Sequence, residues 1–207
     1  MDQATKPIIR TGRKFDQVLT GARDIFMRDG YEGASVDDIA KASSVSKATL
    51  YSYFPDKRLL FMEVASSECS RQAVDTLQMI DRSAPVRDVL TLAARQMVTI
   101  FTTRFSQRIF RVCVAESDRF PELGRKFYES GPQAAHGHLT DFMTEAQTRG
   151  ELQIDDMALA ADQFLELCKA DIFARAVFGI STSFSKEEMD RVAFGAVDTF
   201  LARYGAK

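Results

Sequence analysis

An all-α fold is predicted by three features of this 207-residue sequence. Apolar residues recur at the spacing of amphipathic helices along almost the whole chain, and the alternating pattern of β-strands is nearly absent. Residues typical of helix starts and helix ends separate these stretches. With 45% hydrophobic residues, the chain can also build a real core. We therefore expect a small N-terminal domain of three helices and a larger helical domain, about nine helices in all.

The composition favours a cytoplasmic protein. No stretch approaches the roughly 20 consecutive apolar residues that cross a bilayer, and the first residues lack an apolar run behind a basic start. The three cysteines, Cys69, Cys113 and Cys168, are odd in number and widely spaced, which argues against a disulfide framework or a zinc site. We expect reduced, mostly buried thiols, and no metal, cofactor or membrane partner.

Charge is distributed unevenly along the chain. The net charge is −2, but residues 1–60 carry 10 Lys and Arg against 8 Asp and Glu. We expect residues 1–11 to form a flexible basic arm that suits a phosphate backbone, although the same composition would also suit a tail that is merely soluble. The basic residues at the front of the chain are Lys6, Arg10, Arg13 and Lys14.

The first predicted helix ends at Gly30, a residue typical of helix C-caps. Beyond it, Ser35 stands three residues before Asp38, an arrangement that satisfies the unpaired amides at a helix start. The inward face of the first helix carries Phe15, Val18, Leu19, Ala22, Ile25 and Phe26.

Two short helices, at 35–43 and 46–53, are predicted to brace each other at a steep angle, because neither can bury its apolar side alone. Inward residues such as Leu50 leave a polar and aromatic outer face on the second helix. A helix in the major groove of DNA needs small or hydrogen-bonding side chains for base edges and hydroxyls or cations for phosphates. The pair therefore predicts a helix-turn-helix. Its outward residues are Lys47, Ala48, Thr49, Tyr51, Ser52 and Tyr53.

The run from Gly30 through Ser35 to SKATLYSYFPDKRLL, at 46–60, resembles the N-terminal DNA-binding domain of TetR-family regulators. The resemblance covers roughly residues 12–62, and it implies a DNA-binding domain at 12–60 that takes a double-stranded operator as its partner. It implies phosphate binding by Ser35 and Thr49, proximity to base edges for Lys47, Ala48 and Ser52, and backbone clamping by Tyr51, Tyr53 and Lys57.

Each of these DNA contacts has a structural alternative. Ser35 can serve only as a cap, Tyr51 can pack on the first helix, and Lys57 can be the solvated start of the fourth. Ala48 offers the bases only a methyl group, so we expect sequence preference to rest partly on DNA shape. The operator sequence does not follow from this helix.

The larger domain, residues 61–207, is predicted to begin within a long helix at 56–80, about 37 Å in length, that acts as a lever. Two helices close the chain, one from Asp155 or Asp156 to Gly179 and one from Ser185 to Gly205. Resemblance to the TetR family implies that these two pair with their copies in a four-helix homodimer interface; the alternative is a single thick core. The expected interface residues are Phe164, Leu167, Cys168, Ile172, Val192, Ala196 and Phe200.

Aromatic and methionine residues between 85 and 180 can line an apolar cavity for a small hydrophobic effector, although most such residues merely pack in a helical core. The segment from Glu116 to Pro132 resembles the C-terminal domain of AefR-like or AcrR-like regulators, which suggests control of efflux or stress-response genes. The candidate ligand-binding residues are Met97, Phe101, Phe105, Phe110, Phe127, Met143, Phe164 and Phe173.

Three hypotheses of function remain at this stage. The leading one is a homodimeric repressor that a small hydrophobic ligand releases from a palindromic operator. The second is a DNA-binding regulator whose larger domain serves only dimerisation or a protein partner. The third, an all-helical enzyme, has only Glu116, Asp118, His136 and His138 as candidates and no catalytic or metal motif, so we expect no enzyme. A metal or redox sensor using the histidines or Cys113 is disfavoured for the same reason.

Overall fold

The computed structural model describes residues 12–79 and 81–206, which form eleven helices and no strand. The predicted basic arm at 1–11 lies outside the described residues. None of the described helices combines the length and the apolarity of a membrane span. The helices are α1 (Arg13–Gly33), α2 (Val36–Ala42), α3 (Lys47–Tyr53), α4 (Lys57–Met79), α5 (Val86–Thr102), α6 (Arg104–Glu116), α7 (Pro121–Ser130), α8 (Pro132–Thr148), α9 (Met157–Leu167), α10 (Ile172–Val177) and α11 (Lys186–Tyr204).

Side-chain caps begin the helices at the positions that the sequence predicts. Ser35 Oγ accepts a hydrogen bond from the Asp38 amide at 3.0 Å. Ser46 caps α3 in the same way, and Ser185 forms a capping box at the start of α11. These hydroxyls satisfy amides that a helix start leaves unpaired, which fixes where each helix begins.

The helix predicted from Asp155 or Asp156 to Gly179 is instead two helices, and this prediction was wrong. The helix ends after α9, and residues 168–171 form a turn in which Asp171 adopts φ +64°. Left-handed backbone at a residue other than glycine costs about 1 kcal/mol or more. Residue propensities therefore do not predict a turn at Asp171. The break accounts for one of the helices beyond the nine expected.

Two apolar clusters form the interior of the described chain. One joins α5, α8, α9, α10 and α11 around fully buried residues such as Phe164, Met143 and Phe200. The other joins α1, α2, α3 and α4 to α6 and α7. Phe54 of the N-terminal domain therefore shares a core with Ile109 of the larger domain. The apolar interior continues across the expected domain boundary at residue 60.

A buried carboxylate ties α1 to α4. Glu68 is only 6% exposed, and Arg23 Nε of α1 donates to its Oε2 at 2.8 Å. Arg71 on the next turn of α4 donates to the same carboxylate. Burial alone would raise the pKa of Glu68, but the hydrogen bonds from Arg71 and Arg23 outweigh it and lower the pKa to about 2.

Replacing Glu68 with Gln tests whether this carboxylate stabilises the packing of α1 against α4, through the pH dependence of stability. A carboxyl group whose pKa falls on folding stabilises the protein above its unfolded pKa, near 4.5, and loses that contribution as pH falls towards 2. We expect Glu68→Gln to lower the free energy of unfolding at pH 7 by about 2 kcal/mol, and to flatten its fall with pH across that window. Urea unfolding followed by circular dichroism at several pH values measures both. Glu32→Gln, at an exposed position of α1, is the control that should change neither; equal pH profiles for both variants would contradict the assignment.

Candidate DNA interface and ligand cavity

Helix α3 presents a hydroxyl-rich outer face held by its own hydrogen bonds. Ser46 Oγ accepts from the Thr49 amide at 3.0 Å and lies 2.9 Å from Thr49 Oγ1. Ser52 Oγ donates to the Thr49 carbonyl at 2.6 Å. Leu50, at 1% exposure, is the single buried residue of the helix. One inward anchor and a polar exterior leave this helix free to enter a groove.

The two tyrosines of α3 differ in environment. Tyr51 is 48% exposed, so about half of its surface is open to solvent. Tyr53 is half-buried, with its ring 5.9 Å from that of Phe15 in an edge-to-face contact. A phosphate contact by Tyr51 therefore needs no rearrangement, whereas Tyr53 has its ring fixed by the core and only its hydroxyl end to offer.

Lys57 is fixed at the end of α1. Its Nζ donates to the carbonyl oxygens of Tyr31 at 2.8 Å and Ala34 at 3.1 Å, and lies 4.6 Å from the centre of the Tyr31 ring. The solvated start of the fourth helix, its structural alternative, does not match this geometry. An ammonium group has three donors, so one remains for a phosphate oxygen.

The remaining predicted DNA residues lie on the same exposed surface. Lys47 pairs with Asp37 of α2, Nζ to Oδ1 at 2.5 Å, and both side chains are more than half exposed. Such an exposed pair contributes little to stability, so a nucleic acid can displace the carboxylate. Ser35 is occupied as the cap of α2, and Ala48 is exposed on α3.

A cavity of about 230 Å³ lies in the larger domain. Helix α5 contributes a stripe along one wall, in which the small side chain of Ala93 leaves room between larger neighbours. The lining is predominantly apolar, which suits a small hydrophobic ligand. The α5 stripe consists of Val89, Ala93, Met97, Ile100 and Phe101, and the other lining residues include Cys69, Arg82, Gln107, Ile109, Phe110, Phe127, His138, Leu139, Phe142, Leu165, Lys169 and Phe173.

The cavity brings together five of the eight residues proposed from sequence for ligand binding: Met97, Phe101, Phe110, Phe127 and Phe173. Phe105, Met143 and Phe164 are not among its lining residues. Each of these three is at most 6% exposed and packs in one of the two apolar clusters. Helical periodicity marks all eight as inward-facing, but it does not separate a packed interior from a cavity wall.

The sequence did not indicate Lys169 or Arg82 as cavity residues, and it offered His138 only as a candidate for enzyme or metal chemistry. Lys169, on the turn between α9 and α10, has its Nζ 5.6 Å from the ring centres of Phe101 and Phe173. Arg82 and His138 also line the cavity. Lysine in a continuous helix is usually solvated, so only the helix break at 168–171 could have signalled its position.

Helix α6 has one face on the cavity and a neighbouring face in the N-terminal core. Phe110 meets Phe173 across the cavity wall, with ring centres 5.2 Å apart. Phe105 and Cys113 pack in the cluster that includes α1 and α3. Ile109 packs in that cluster and also lines the cavity. A change of cavity shape therefore acts on a helix that also supports the DNA-binding domain.

The seven residues expected at the dimer interface are mostly core residues of the single chain, which corrects that assignment. Phe164, Cys168, Ile172, Val192, Ala196 and Phe200 are between 0% and 7% exposed, and Leu167 is partly buried. Six of them therefore have almost no surface for a partner, and Leu167 keeps part of its surface. The exposed apolar residues on these helices are Leu159, at 50%, and Phe194, at 44%.

The cysteines and histidines form no metal-binding cluster in the described part of the chain. Residues 12–79 and 81–206 contain no group of three or more His, Cys, Asp or Glu that could hold a metal ion. All three cysteines are free thiols, and burial raises the pKa of Cys113 and Cys168 to about 12. His136 lies 3.2 Å from the Ala158 carbonyl oxygen, away from His138 in the cavity lining.

A DNA-reading helix pair joined to a helical domain with an internal cavity defines a class of one-component transcriptional regulators. Residues 18–64 match the sequence model of bacterial regulatory proteins of the TetR family. Residues 88–206 match the model of the AefR-like transcriptional repressor C-terminal domain. The chain belongs to the TetR family of DNA-binding transcriptional regulators, in agreement with the resemblance of its helix-turn-helix.

Known proteins of this family are similar over nearly the full chain. A protein described as a TetR-family regulator from Mesorhizobium loti MAFF303099 superimposes with a TM-score of 0.84 at 29% identity, covering 94% of this chain and 98% of that one. The flavonoid-responsive regulator FrrA gives a TM-score of 0.73 at 37% identity over the same shares of the two chains. The transcriptional regulator YdeS of Bacillus subtilis is 26% identical over 141 residues, 67% of this chain and 69% of YdeS.

Tyr51→Phe tests the DNA surface. It removes only an exposed hydroxyl, so we expect the melting temperature to stay unchanged while affinity for DNA from the chain's own promoter region falls about fivefold to tenfold. Fluorescence anisotropy with that duplex measures the change. Tyr128→Phe makes the same replacement on α7, at a tyrosine that is 59% exposed, and should bind as the wild type does. Wild-type affinity for Tyr51→Phe would remove Tyr51 from the interface.

Proposed function

We propose that this regulator is a homodimeric repressor that leaves a palindromic operator when a small apolar ligand fills the cavity beside α6. The DNA contacts we assign are those of the α2 and α3 surface, with Lys47 and Tyr51 among its exposed members and Lys57 supporting it from α4. This assignment rests on their exposure and on the unoccupied donor of the Lys57 ammonium.

The observation that carries the ligand proposal is the double contact of α6. Its Phe110 lines the cavity, and its Phe105 packs in the core of the DNA-binding domain. A ligand that binds best when α6 is displaced shifts the population towards that conformation by its differential affinity for the two. Recognition helices of the displaced conformation no longer match their half-sites.

A second contact between the domains supports the same coupling. The guanidinium carbon of Arg58, on α4, lies 3.6 Å from the ring centre of Phe120, which immediately precedes α7. The carboxylate of Asp56 holds that guanidinium, and the Arg58 partnership lowers the pKa of the Asp56 carboxyl. Motion of α6 and α7 therefore reaches the start of α4, next to α3.

The homodimer we propose uses the outer faces of α9 and α11. Leu159 and Phe194 are large apolar residues left exposed there, on the helices whose inner faces already form the core. A twofold dimer sets two α3 helices to read half-sites roughly 34 to 36 Å apart, or a multiple of that distance. Contiguous exposed apolar area marks an interaction surface, and we place that surface at these two residues.

The ligand class we propose is a small apolar molecule. FrrA, at 37% identity, is described as flavonoid-responsive, which favours an effector of that size. To test release, anisotropy titrations of operator DNA are run with flavone, 7-hydroxyflavone and stearic acid. We expect at least one to lower operator affinity by about tenfold or more. If none does so, the larger domain serves dimerisation or a protein partner instead.

Filling the cavity should abolish ligand binding without affecting the DNA surface. Ala93, at 9% exposure, lines the cavity, and a phenylalanine there occupies the space. We expect Ala93→Phe to bind operator DNA normally but to bind the neutral dye N-phenyl-1-naphthylamine about tenfold more weakly, measured by dye fluorescence. Thr99→Phe, on the exposed side of α5, is the matched control and should bind the dye as the wild type does. Unchanged dye affinity in Ala93→Phe would place the ligand elsewhere.

A charge on the proposed dimer surface should separate the subunits. Glutamate at position 194 can pair with Arg95, whose guanidinium carbon lies 4.9 Å from the Phe194 ring centre, so the fold has no reason to fail. We expect Phe194→Glu to be monomeric by light scattering and to bind the operator about tenfold or more weakly. Val114→Glu introduces the same charge at an exposed position on α6 and should stay dimeric. A dimeric Phe194→Glu would exclude this face.

A further inference from the structure

The break between α9 and α10 is a strained feature built at the cavity wall. Asp171 is held at φ +64° while its carboxylate accepts from Arg191 at 2.7 Å and from Arg175 at 3.3 Å. Left-handed backbone at a non-glycine residue persists only where its surroundings enforce it, and such positions concentrate at binding sites. The turn carries Lys169 into the lining of the cavity.

The ammonium of Lys169 is placed to bind an acidic oxygen. It lies 5.6 Å from the ring centres of both Phe101 and Phe173, on an otherwise apolar stretch of wall. The Nζ atom of Lys169 lies 2.5 Å from Oε1 of Glu166. The side chain of Glu166 is 68% exposed. A solvated partner of this kind contributes little, so it can move into water when a ligand oxygen takes its place.

The wall next to Lys169 is a continuous row of aromatic rings. Phe101 meets Phe173 at 5.7 Å and 72°, and Phe173 meets Phe110 at 5.2 Å and 75°. Phe110 then meets Phe127 at 6.3 Å and 64°. All four rings line the cavity, and a further aromatic ring packed against them gains about 0.5 to 1.5 kcal/mol beyond the burial of its area.

The lining of the cavity also extends along much of α5. Its α5 stripe spans twelve residue steps from Val89 to Phe101, which is about 18 Å at the helical rise. Two other ionisable side chains line the cavity. Arg82 is paired with Glu145, Nε to Oε2 at 3.0 Å, and His138 is an exposed residue. We choose Lys169 because its ammonium lies 5.6 Å from two aromatic rings of the lining.

We propose that the cavity takes a planar molecule of two or three linked aromatic rings with an ionisable phenolic hydroxyl, and that Lys169 is the specificity-determining residue that binds this oxygen. The inference rests on the proposed function in so far as the cavity is the effector site. It adds the chemical class of the effector and the residue that selects it.

Paired probes test this assignment: 7-hydroxyflavone carries the phenol, and unsubstituted flavone has the same rings without it. At pH 8 we expect the wild type to bind 7-hydroxyflavone about tenfold more tightly than flavone, and Lys169→Met to reduce that preference to about twofold while keeping flavone binding. The absorbance change on phenolate formation should give a pKa for the bound phenol about one unit or more lower in the wild type than in Lys169→Met. Lys169→Arg should restore the preference.

The controls separate this proposal from others. Lys186→Met, at a lysine whose side chain is 75% exposed on α11, should behave as the wild type does. If the Lys169→Met protein is folded and its affinity for both flavones falls equally, Lys169 has only a structural role and the proposal is wrong. Binding of stearic acid with neither flavone bound would also overturn it, in favour of an acyl-chain site, while leaving ligand release intact. Lys169-dependent binding without operator release would support the ligand class and reject the release mechanism.

Discussion

Helix α6 packs against the N-terminal core and the cavity at the same time, and the relation between the two domains depends on that packing. Ile109 belongs to both environments, Phe105 and Cys113 lie in the cluster shared with α1 and α3, and Phe110 lies against Phe173. Protein interiors are close-packed, so a helix with two buried faces does not move on one side only. The cavity and the core of the DNA-binding domain are thus joined through one helix, and the release that we propose depends on this connection.

Much of the N-terminal domain could be predicted because its local signals and its tertiary structure agree. Ser35 and Ser46 cap the helices they were expected to cap, and Leu50 faces inward as its spacing requires. Periodicity was sufficient there because short helices have only one apolar side. The role of Lys57 could not be predicted in the same way, since its carbonyl acceptors on Tyr31 and Ala34 are more than twenty residues away in sequence.

The larger domain was harder to predict for a physical reason. Periodicity shows that one side of a helix is apolar, and it does not show what covers that side. Residues such as Phe164 and Phe200 were therefore assigned to a subunit interface although α9 and α11 bury them within one chain. The turn at Asp171 escaped prediction because its left-handed backbone is unfavourable locally and is held by Arg175 and Arg191, which the sequence alone does not bring together.

Gly30 shows how closely the domains are joined at the end of α1. Its φ of +76° suits glycine, and a Cβ atom at this position would come within 3.0 Å of the Arg108 guanidinium of α6. The positive φ selects glycine at this position, whereas the arginine side chain can move aside. Lys57 donates to carbonyl oxygens just beyond, so the start of α4 and the side of α6 meet the same turn of chain. Since α3 is followed at once by α4, the turn at Gly30 connects the side of α6 to the start of α4 near α3, and the release that we propose can use this short route instead of the whole length of α4.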